Sequence, residues 1–155
     1  MIKLITAMTP EKLIGRNDKM AWHIPAEFKH FKDTTMGHAL LFGRTTFLGL
    51  PGKLPGRKHF VLSPEDVETA DQTIHNEEEL MTLFDKYRDS KETLFIAGGK
   101  SIYENFGKYA DEWIISYVWG QHSGNVYLDL SFKNYEKVSV EAKDGFDVAI
   151  YKKIK

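Results

Sequence analysis

Two stretches of the chain, LLFGRTTF at 40–47 and LFIAGGKSIY at 94–103, follow the same plan. Each runs from an apolar strand through glycine into a helix that opens with a basic residue and a hydroxyl residue. Strands that alternate with helices predict an α/β fold with a largely parallel sheet. Sheets of this kind bind ligands beyond the carboxyl ends of their strands, so both junctions are candidate binding elements.

Apolar runs and turn residues predict one domain, residues 1–155, built from a mixed, mostly parallel sheet of eight strands and about four flanking helices. The sequence KDG between the last two strands predicts a C-terminal antiparallel hairpin, and residues 11–20 are predicted as a loop. The strands are predicted at 2–8, 38–42, 59–63, 72–75, 93–97, 112–119, 135–142 and 146–153, and the helices at 25–36, 44–50, 76–88 and 100–106.

Composition excludes several classes of protein. A net charge of −1 without a basic stripe argues against a nucleic-acid-binding module. The absence of cysteine excludes disulfides and thiolate catalysis and suits a reducing cytoplasm. No metal-binding H-E-x-x-H pattern and no G-x-S-x-G nucleophile motif occurs, so we predict neither a metal site nor a serine hydrolase. The N-terminus lacks a signal-peptide pattern and no apolar run could span a membrane, which predicts a cytoplasmic protein.

The two glycine junctions together indicate an anion site. Glycine lets a ligand approach the backbone closely, and the first N–H groups of each helix favour negative charge. A single junction is more often plain turn chemistry, but two in one sheet fit a pyrophosphate held between two helix N-termini. Arg44 and Lys100 add positive charge, and Ser63, at the end of the next strand, is a candidate for a further phosphate.

One carboxylate lies among aromatic residues in MAWHIPAEFKHF at 20–31. At ~100° per residue, Glu27 shares a sector of its helix with Phe28 and Phe31. Either Glu27 reaches water from the edge of that face, or it is buried and needs a donor or a raised pKa. Arg57, on the proline-rich turn LPGRK, is either a surface arginine or a bidentate ligand for a carboxylate.

Three stretches taken in order, 14–32, 42–63 and 95–106, resemble the signature regions of dihydrofolate reductase. The similarity extends over nearly the whole chain. It implies that NADPH reduces dihydrofolate, with hydride delivered to C6 and a proton to N5. It also implies a role for Glu27, because in this family an aspartate or glutamate at that position accepts hydrogen bonds from N3 and the 2-amino group of the pterin.

The resemblance carries over further roles, residue by residue. Implied catalytic residues are Glu27, Trp22, Ser116 and Tyr103. Implied substrate-binding residues are Ile5, Ala7, Glu27, Phe28, Phe31, Leu50, Leu54, Arg57, Ile96 and Ser116. Implied cofactor-binding residues are Ala7, Ile14, Gly15, Met20, Gly43, Arg44, Thr45, Thr46, Leu62, Ser63, Gly98, Gly99, Lys100, Ser101, Ile102 and Tyr103.

More specific expectations follow from the same resemblance. Arg57 would pair with the α-carboxylate of the substrate's glutamate tail. Arg44, Ser63 and Lys100 would face the 2′-phosphate of NADPH. A cis peptide is expected at 97–98. The proton would come from a water admitted near Met20 and Trp22, two residues of a mobile loop.

The chain also departs from the family pattern. Ser116 replaces a threonine that usually bonds to the acid, and Asn125 replaces an aspartate in the loop GNVYLD, which lacks the usual proline. That aspartate normally accepts from the loop through Met20, so the change bears on loop closure.

Two alternative functions remain at this stage. One is a pyrimidine reductase of riboflavin synthesis, and the other is a non-catalytic folate or nucleotide carrier of the same fold. Glu27 together with Arg57 argues against the first. The expected partners are dihydrofolate and antifolate inhibitors, with no nucleic acid and no membrane, and the expected state is a monomer.

Overall fold

The structure, a computed structural model, describes residues 1–17 and 20–154. Over these residues the chain forms one eight-stranded sheet, one two-stranded sheet and four α-helices. The strands are β1 Ile2–Met8, β2 Leu13–Gly15, β3 Ala39–Gly43, β4 Lys58–Leu62, β5 Gln72–Ile74, β6 Leu94–Ile96, β7 Glu112–Val118, β8 Val126–Tyr127, β9 Tyr135–Ala142 and β10 Phe146–Lys153. The helices are α1 Pro25–Thr35, α2 Arg44–Leu48, α3 Glu77–Arg88 and α4 Lys100–Phe106.

Local sequence explains where two of these helices begin. Pro25 occupies the first turn of α1, where its missing N–H group removes no helical hydrogen bond. Asn76 caps α3, because its side chain accepts from the backbone N–H of Glu79 at 2.9 Å. Both helices were predicted to begin at these residues.

The large sheet has the strand order β5-β4-β3-β6-β1-β7-β10-β9. Strand β10 runs antiparallel to both of its neighbours, while the other strands share one direction. The turn before β10 passes through Gly145, whose φ of 93° lies in the left-handed region that favours glycine. The predicted mixed α/β sheet with a C-terminal hairpin is therefore confirmed.

The two faces of the sheet carry separate apolar clusters. Along β1, Ile2 and Leu4 join the cluster that includes α3, whereas Ile5 and Ala7 join the cluster beneath α1. Strands covered on both faces read as continuous apolar runs, which is what β3 shows, whereas the apolar run of β1 is interrupted by Lys3 and Thr6.

The second sheet was not predicted. β2 pairs with β8 in antiparallel fashion, with Leu13 opposite Tyr127 and Gly15 opposite Val126. It replaces part of the predicted loop at 11–20, of which Asp18 and Lys19 lie outside the described residues. Such short strands carry too little periodicity to be found from sequence. None of the helices in the described part of the chain combines the length and apolarity that a membrane crossing requires.

Candidate active site

A cleft begins where β6 separates from β1. The two strands pair as far as Ile96 opposite Leu4, after which β1 pairs only with β7. The chain beyond Ile96 stays beside β3 instead, since Ala97 N donates to Leu41 O at 2.9 Å. Ile5 is the first residue of β1 after the last β1–β6 pair, and its carbonyl accepts from the Tyr103 hydroxyl at 2.8 Å. This is the point of the sheet at which α/β proteins bind ligands.

Glu27 lies on α1 and is buried, with 8% of its surface exposed. Within the described residues its carboxylate forms no hydrogen bond and no ion pair. Burial raises its pKa from the ordinary 4.5 to about 7. The pKa of Tyr103 is also raised, mainly by burial and in part by the Glu27 charge, which indicates that Glu27 lies near the mouth of the cleft. Of the two alternatives for Glu27, the structure therefore favours burial.

The raised pKa predicts how Glu27 affects stability. Between pH 4.5 and 7, Glu27 keeps its proton in the folded, ligand-free protein but has lost it in the unfolded chain. Its contribution to the free energy of unfolding therefore falls as pH rises through that window. Glu27→Gln removes this effect. We expect the free energy of unfolding of Glu27→Gln, minus that of wild type, to increase by about 3 kcal/mol between pH 4.5 and pH 7. Urea denaturation measures both. A difference that does not change with pH would contradict the raised pKa.

Most of the predicted substrate residues lie together. Ile5, Ala7, Phe31, Leu50 and Leu54 belong to, or pack against, the apolar cluster that also holds Trp22. Ser116 is buried opposite Ala7 in the adjacent strand, but no hydrogen bond joins it to Glu27 in the described part of the chain. The Phe28 ring, in contrast, is 50% exposed and lies 4.9 Å from Lys32 Nζ.

Two predictions near the end of β6 are displaced by one residue. Ile96 is fully buried in the cluster on the opposite face of the sheet, whereas Ala97 faces the cluster of the candidate site. Because side chains alternate across a strand, a shift of one residue exchanges the faces. The same shift applies to the cis peptide, which joins Gly98 to Gly99 instead of Ala97 to Gly98. The side chain that faces the candidate site here is thus that of Ala97 and not that of Ile96, whose role in binding stays a prediction.

Arg57 is buried but is not paired with an acid. Its Nε donates to Thr35 Oγ1 at 3.0 Å, and its two terminal nitrogens donate to the backbone carbonyls of Pro55 and Lys32. Within the described residues no carboxylate contacts it. Neutral acceptors thus fix the guanidinium but leave its charge uncompensated, which suits an incoming carboxylate. Thr35, which anchors this arginine, was not among the predicted residues.

The two glycine junctions meet in the structure. Gly43 N donates to Gly98 O at 2.8 Å, and a Cβ atom added to Gly99 would lie 2.7 Å from Thr46 Oγ1. Only glycine allows so close an approach. The helices that follow the junctions, α2 and α4, therefore begin side by side, as the two-junction hypothesis predicts.

The remaining cofactor candidates surround these junctions unequally. Gly43, the last residue of β3, pairs with Leu62, the last residue of β4. Arg44 and Ser63 come directly after these two residues and therefore lie at neighbouring strand ends. Arg44 forms no ion pair within the described residues, whereas Lys100 Nζ binds Glu104 and the Tyr127 carbonyl, each at 2.6 Å. The other candidates fall into three groups by exposure. The exposed ones are Thr45, Ser101 and Met20, the buried ones are Gly15, Ile102 and Tyr103, and the half-buried ones are Ile14 and Leu62.

Comparisons with known proteins identify the family of this chain. Residues 1–152 match the family model described as dihydrofolate reductase. The chain belongs to the dihydrofolate reductase family. This confirms the resemblance inferred from the three signature stretches.

The relatives cover nearly the whole chain. The dihydrofolate reductase of Mycoplasma genitalium is 34% identical over 157 residues, which is 99% of this chain and 98% of the relative. That of Mycoplasma pneumoniae is 32% identical over 160 residues, 99% of each. The type 9 dihydrofolate reductase of Escherichia coli is 35% identical over 147 residues, 89% of this chain and 82% of the relative.

The fold also matches a solved structure. Dihydrofolate reductase from Enterococcus faecalis, complexed with NADP(H) and RAB-propyl, aligns with a TM-score of 0.86 at 24% identity. The alignment covers 99% of this chain and 96% of that chain. At this level of identity the match shows that the two proteins share a fold.

The loop through Met20 is joined to the GNVYLD loop in this family member by a pair of amides. Asn125 Oδ1 accepts from the backbone N–H of Asn17 at 2.6 Å, and Asn125 Nδ2 donates to Asn17 Oδ1 at 3.1 Å. Asn125 thus keeps the expected acceptor and adds a donor that an aspartate lacks. Asn17, with φ of 58°, was not a predicted site residue.

Trp22 faces the same region from within the apolar cluster. Its indole N–H is buried and has no acceptor among the described residues. The ring lies edge to face with His122 at 5.8 Å, and His122 Nε2 is 2.8 Å from the Trp119 carbonyl. A buried donor without a partner is costly, so this N–H is a candidate group for binding water or ligand.

Proposed function

We propose that this chain converts 7,8-dihydrofolate, NADPH and one proton into 5,6,7,8-tetrahydrofolate and NADP⁺. Reduction of dihydrofolate is the activity for which the family is named. The observation that carries the assignment to these residues is the buried carboxylate of Glu27 at the mouth of the cleft, which has no partner among the described residues. A pyrimidine reductase of riboflavin synthesis has no need for such a group.

Two charges would fix the substrate at its two ends. Glu27 would accept from N3 and the 2-amino group of the pterin ring, in a bidentate geometry that satisfies both carboxylate oxygens. Arg57, held by Thr35, would bind the α-carboxylate of the glutamate tail. Ile5, Phe31 and Leu54 would contact the rings between these ends.

NADPH fits the residues at the two junctions, and when bound it supplies the hydride that C6 receives. The first backbone N–H groups of α2 and α4, which begin side by side, would bind its phosphates. Arg44 would hold the 2′-phosphate, and Ser63 is a weaker candidate because it is buried and its Oγ accepts from the backbone N–H of Glu65 at 3.3 Å. Lys100 is a weaker candidate than predicted, because its ammonium group is already bound to Glu104.

The protein's part in proton transfer falls to Glu27 and Trp22. A carboxyl group whose pKa is about 7 can retain a proton in the site near neutral pH, and in its ionised form it favours a protonated pterin. Trp22 would hold a water through its buried N–H and so place a proton donor near N5. Tyr103 positions β1 through the Ile5 carbonyl and does not donate a proton itself.

The decisive experiment follows the loss of NADPH absorbance when the purified protein meets dihydrofolate. We expect turnover that requires both substrates and gives tetrahydrofolate. Binding of dihydrofolate without turnover would assign the chain to the carrier class, and turnover with a riboflavin-pathway pyrimidine instead would reverse the assignment.

The Asn17–Asn125 pair predicts a control on turnover. Asn125→Leu removes both hydrogen bonds, so we expect kcat to fall several-fold while the KM for NADPH changes little, because two exposed neutral bonds are lost. Asn125→Asp is the matched control: the side chain of Asn17 can turn to donate, so near-normal kcat is expected. Steady-state kinetics of both variants test this, and an unchanged kcat in Asn125→Leu would exclude a role for the pair.

We also propose a cytoplasmic monomer that binds antifolates in the substrate cleft. The cysteine-free composition fits a reducing compartment. Inhibitors with a protonated, amino-substituted ring would bind Glu27 as the pterin does. Sedimentation of the purified protein and competition of such a compound with dihydrofolate test these two points.

A further inference from the structure

A fully buried histidine lies beside the loop that carries Leu54 and Arg57. His59, on β4, has no exposed surface. Its ring is nearly parallel to Phe42, with centroids 6.1 Å apart, and packs against Phe47 at 5.8 Å. Neither the resemblance nor the proposed chemistry assigns this side chain a role. The groups that contact the ring nitrogens of a buried histidine reveal which nitrogen carries the proton.

The contacts of the ring define a neutral tautomer. Nε2 accepts from the backbone N–H of Leu54 at 3.1 Å, so it carries no proton. The proton is therefore on Nδ1, which lies 3.5 Å from Asp71 Oδ2 and forms no hydrogen bond within the described residues. That oxygen is occupied by the backbone N–H of His59 at 2.6 Å.

Two charged groups face this histidine, Asp71 and Lys53. Burial lowers the pKa of His59, the Asp71 carboxylate and a backbone interaction with Arg57 oppose that shift, and Lys53 adds to it. Lys53 also binds Asp71 Oδ1 at 2.8 Å, which takes up part of the carboxylate's charge. The balance keeps the ring neutral at physiological pH, as its contact with Leu54 requires.

The loop at 51–57 is thus attached to this strand edge at two points. Leu54 is held by the His59 ring, and Lys53 is held by Asp71, whose backbone N–H in turn donates to His59 O at 3.0 Å. The same loop supplies the apolar contact of Leu54 and leads directly into Arg57. The position of the His59 ring therefore sets where Leu54 lies relative to the guanidinium group.

We propose that His59 is a positioning residue for the tail of the substrate: its unprotonated Nε2 fixes Leu54, and thereby the loop that receives the benzoyl-glutamate part of dihydrofolate. This inference rests on the proposed function. Protonation would place two donors, Nε2–H and Leu54 N–H, against each other and would leave both without an acceptor. Acid should therefore weaken binding of the tail and leave binding of the pterin ring unaffected by this residue.

The first test compares His59→Phe with His59→Gln, using dihydrofolate and a dihydropterin that lacks the tail. Phenylalanine keeps the ring between Phe42 and Phe47 but offers no acceptor, whereas glutamine offers an amide oxygen. We expect His59→Phe to raise the KM for dihydrofolate about tenfold, with kcat and the KM values for NADPH and the tail-less dihydropterin within about twofold of wild type. His59→Gln should restore most of the affinity. An equal rise for both pterins, or no rise, would overturn the proposal.

Two further measurements need no active variant. In the unmodified protein, the ratio of the KM for dihydrofolate to that for the tail-less dihydropterin should rise as pH falls through the pKa of His59, which burial places below the ordinary 6.5. Taking the ratio removes the contribution of Glu27, which acts on both substrates. A ratio that stays constant across the pH range in which the His59 ring takes up its proton would contradict the proposal.

Amide hydrogen exchange tests the contact in the ligand-free protein. Leu54 N–H should be protected in the wild type, lose protection in acid and lose it in His59→Phe. If NADPH is not oxidised at all, the proposed function fails, but this measurement still decides whether His59 holds the loop. Protection of Leu54 that is unchanged in His59→Phe would show that it does not.

Discussion

Glu27→Gln is expected to lower kcat/KM for dihydrofolate at pH 7 by about 100-fold or more, the usual effect of removing a positioned acid–base group. Glutamine keeps the size of the side chain and can still accept one hydrogen bond, but it removes the charge that holds a proton in the site. The physical basis is the position of Glu27, buried and without a partner in the described residues, with a pKa of about 7.

The pH profile separates this role from a loss of binding. In wild type the rate should fall as pH rises past about 7, because the site then loses its proton. In Glu27→Gln the rate should go on rising toward acid, where the substrate becomes protonated in solution and brings its own proton. Steady-state and single-turnover rates between pH 5 and 9 measure both profiles.

Two control variants complete this experiment. Glu27→Asp keeps the charge and should retain most of the activity. Asp33→Asn removes a charge from the same helix at an exposed position, where Lys29 already pairs with it, and should have little effect. The same pH profile in wild type and Glu27→Gln would remove Glu27 from the proton chemistry.

Arg57→Leu is expected to raise the KM for dihydrofolate about 30-fold or more, with a smaller effect on kcat. Removing one partner of a buried charge pair costs about 2 kcal/mol or more, part of it from the carboxylate left without a partner. The guanidinium is already fixed by Thr35 and two backbone carbonyls, so little order has to be gained when the tail binds.

Arg57→Lys distinguishes geometry from charge. Lysine restores the positive charge, but it cannot bind Thr35, Pro55 O and Lys32 O together, so we expect only partial recovery of affinity. The tail-less dihydropterin should bind wild type and both variants alike. Because Arg57 also anchors the loop to α1, urea denaturation should accompany the kinetics. Equal losses for both substrates would mean that the arginine acts on the fold and not on the tail.

Much of the fold could be predicted because its signals are local. The Pro25 start of α1, the Asn76 cap of α3 and the glycine turn before β10 each depend on a few adjacent residues, and the structure contains all three. The features that the sequence did not reveal depend on pairing between distant segments. The β2–β8 sheet joins residues more than a hundred positions apart, and the one-residue displacement at 96–97 became visible only when β6 was placed between β3 and β1.

Sequence alone was enough to predict the strands and helices of the eight-stranded sheet, the two glycine junctions and the identity of the groups that could carry chemistry. Apolar periodicity and turn residues are encoded within short windows, so these features needed no tertiary contact. The tertiary structure decided the environment of three side chains. It buries Glu27, gives Arg57 no acidic partner among the described residues, and lets His59 accept from Leu54. Burial and protonation depend on neighbours that folding brings together from distant parts of the chain, and no local pattern specifies them.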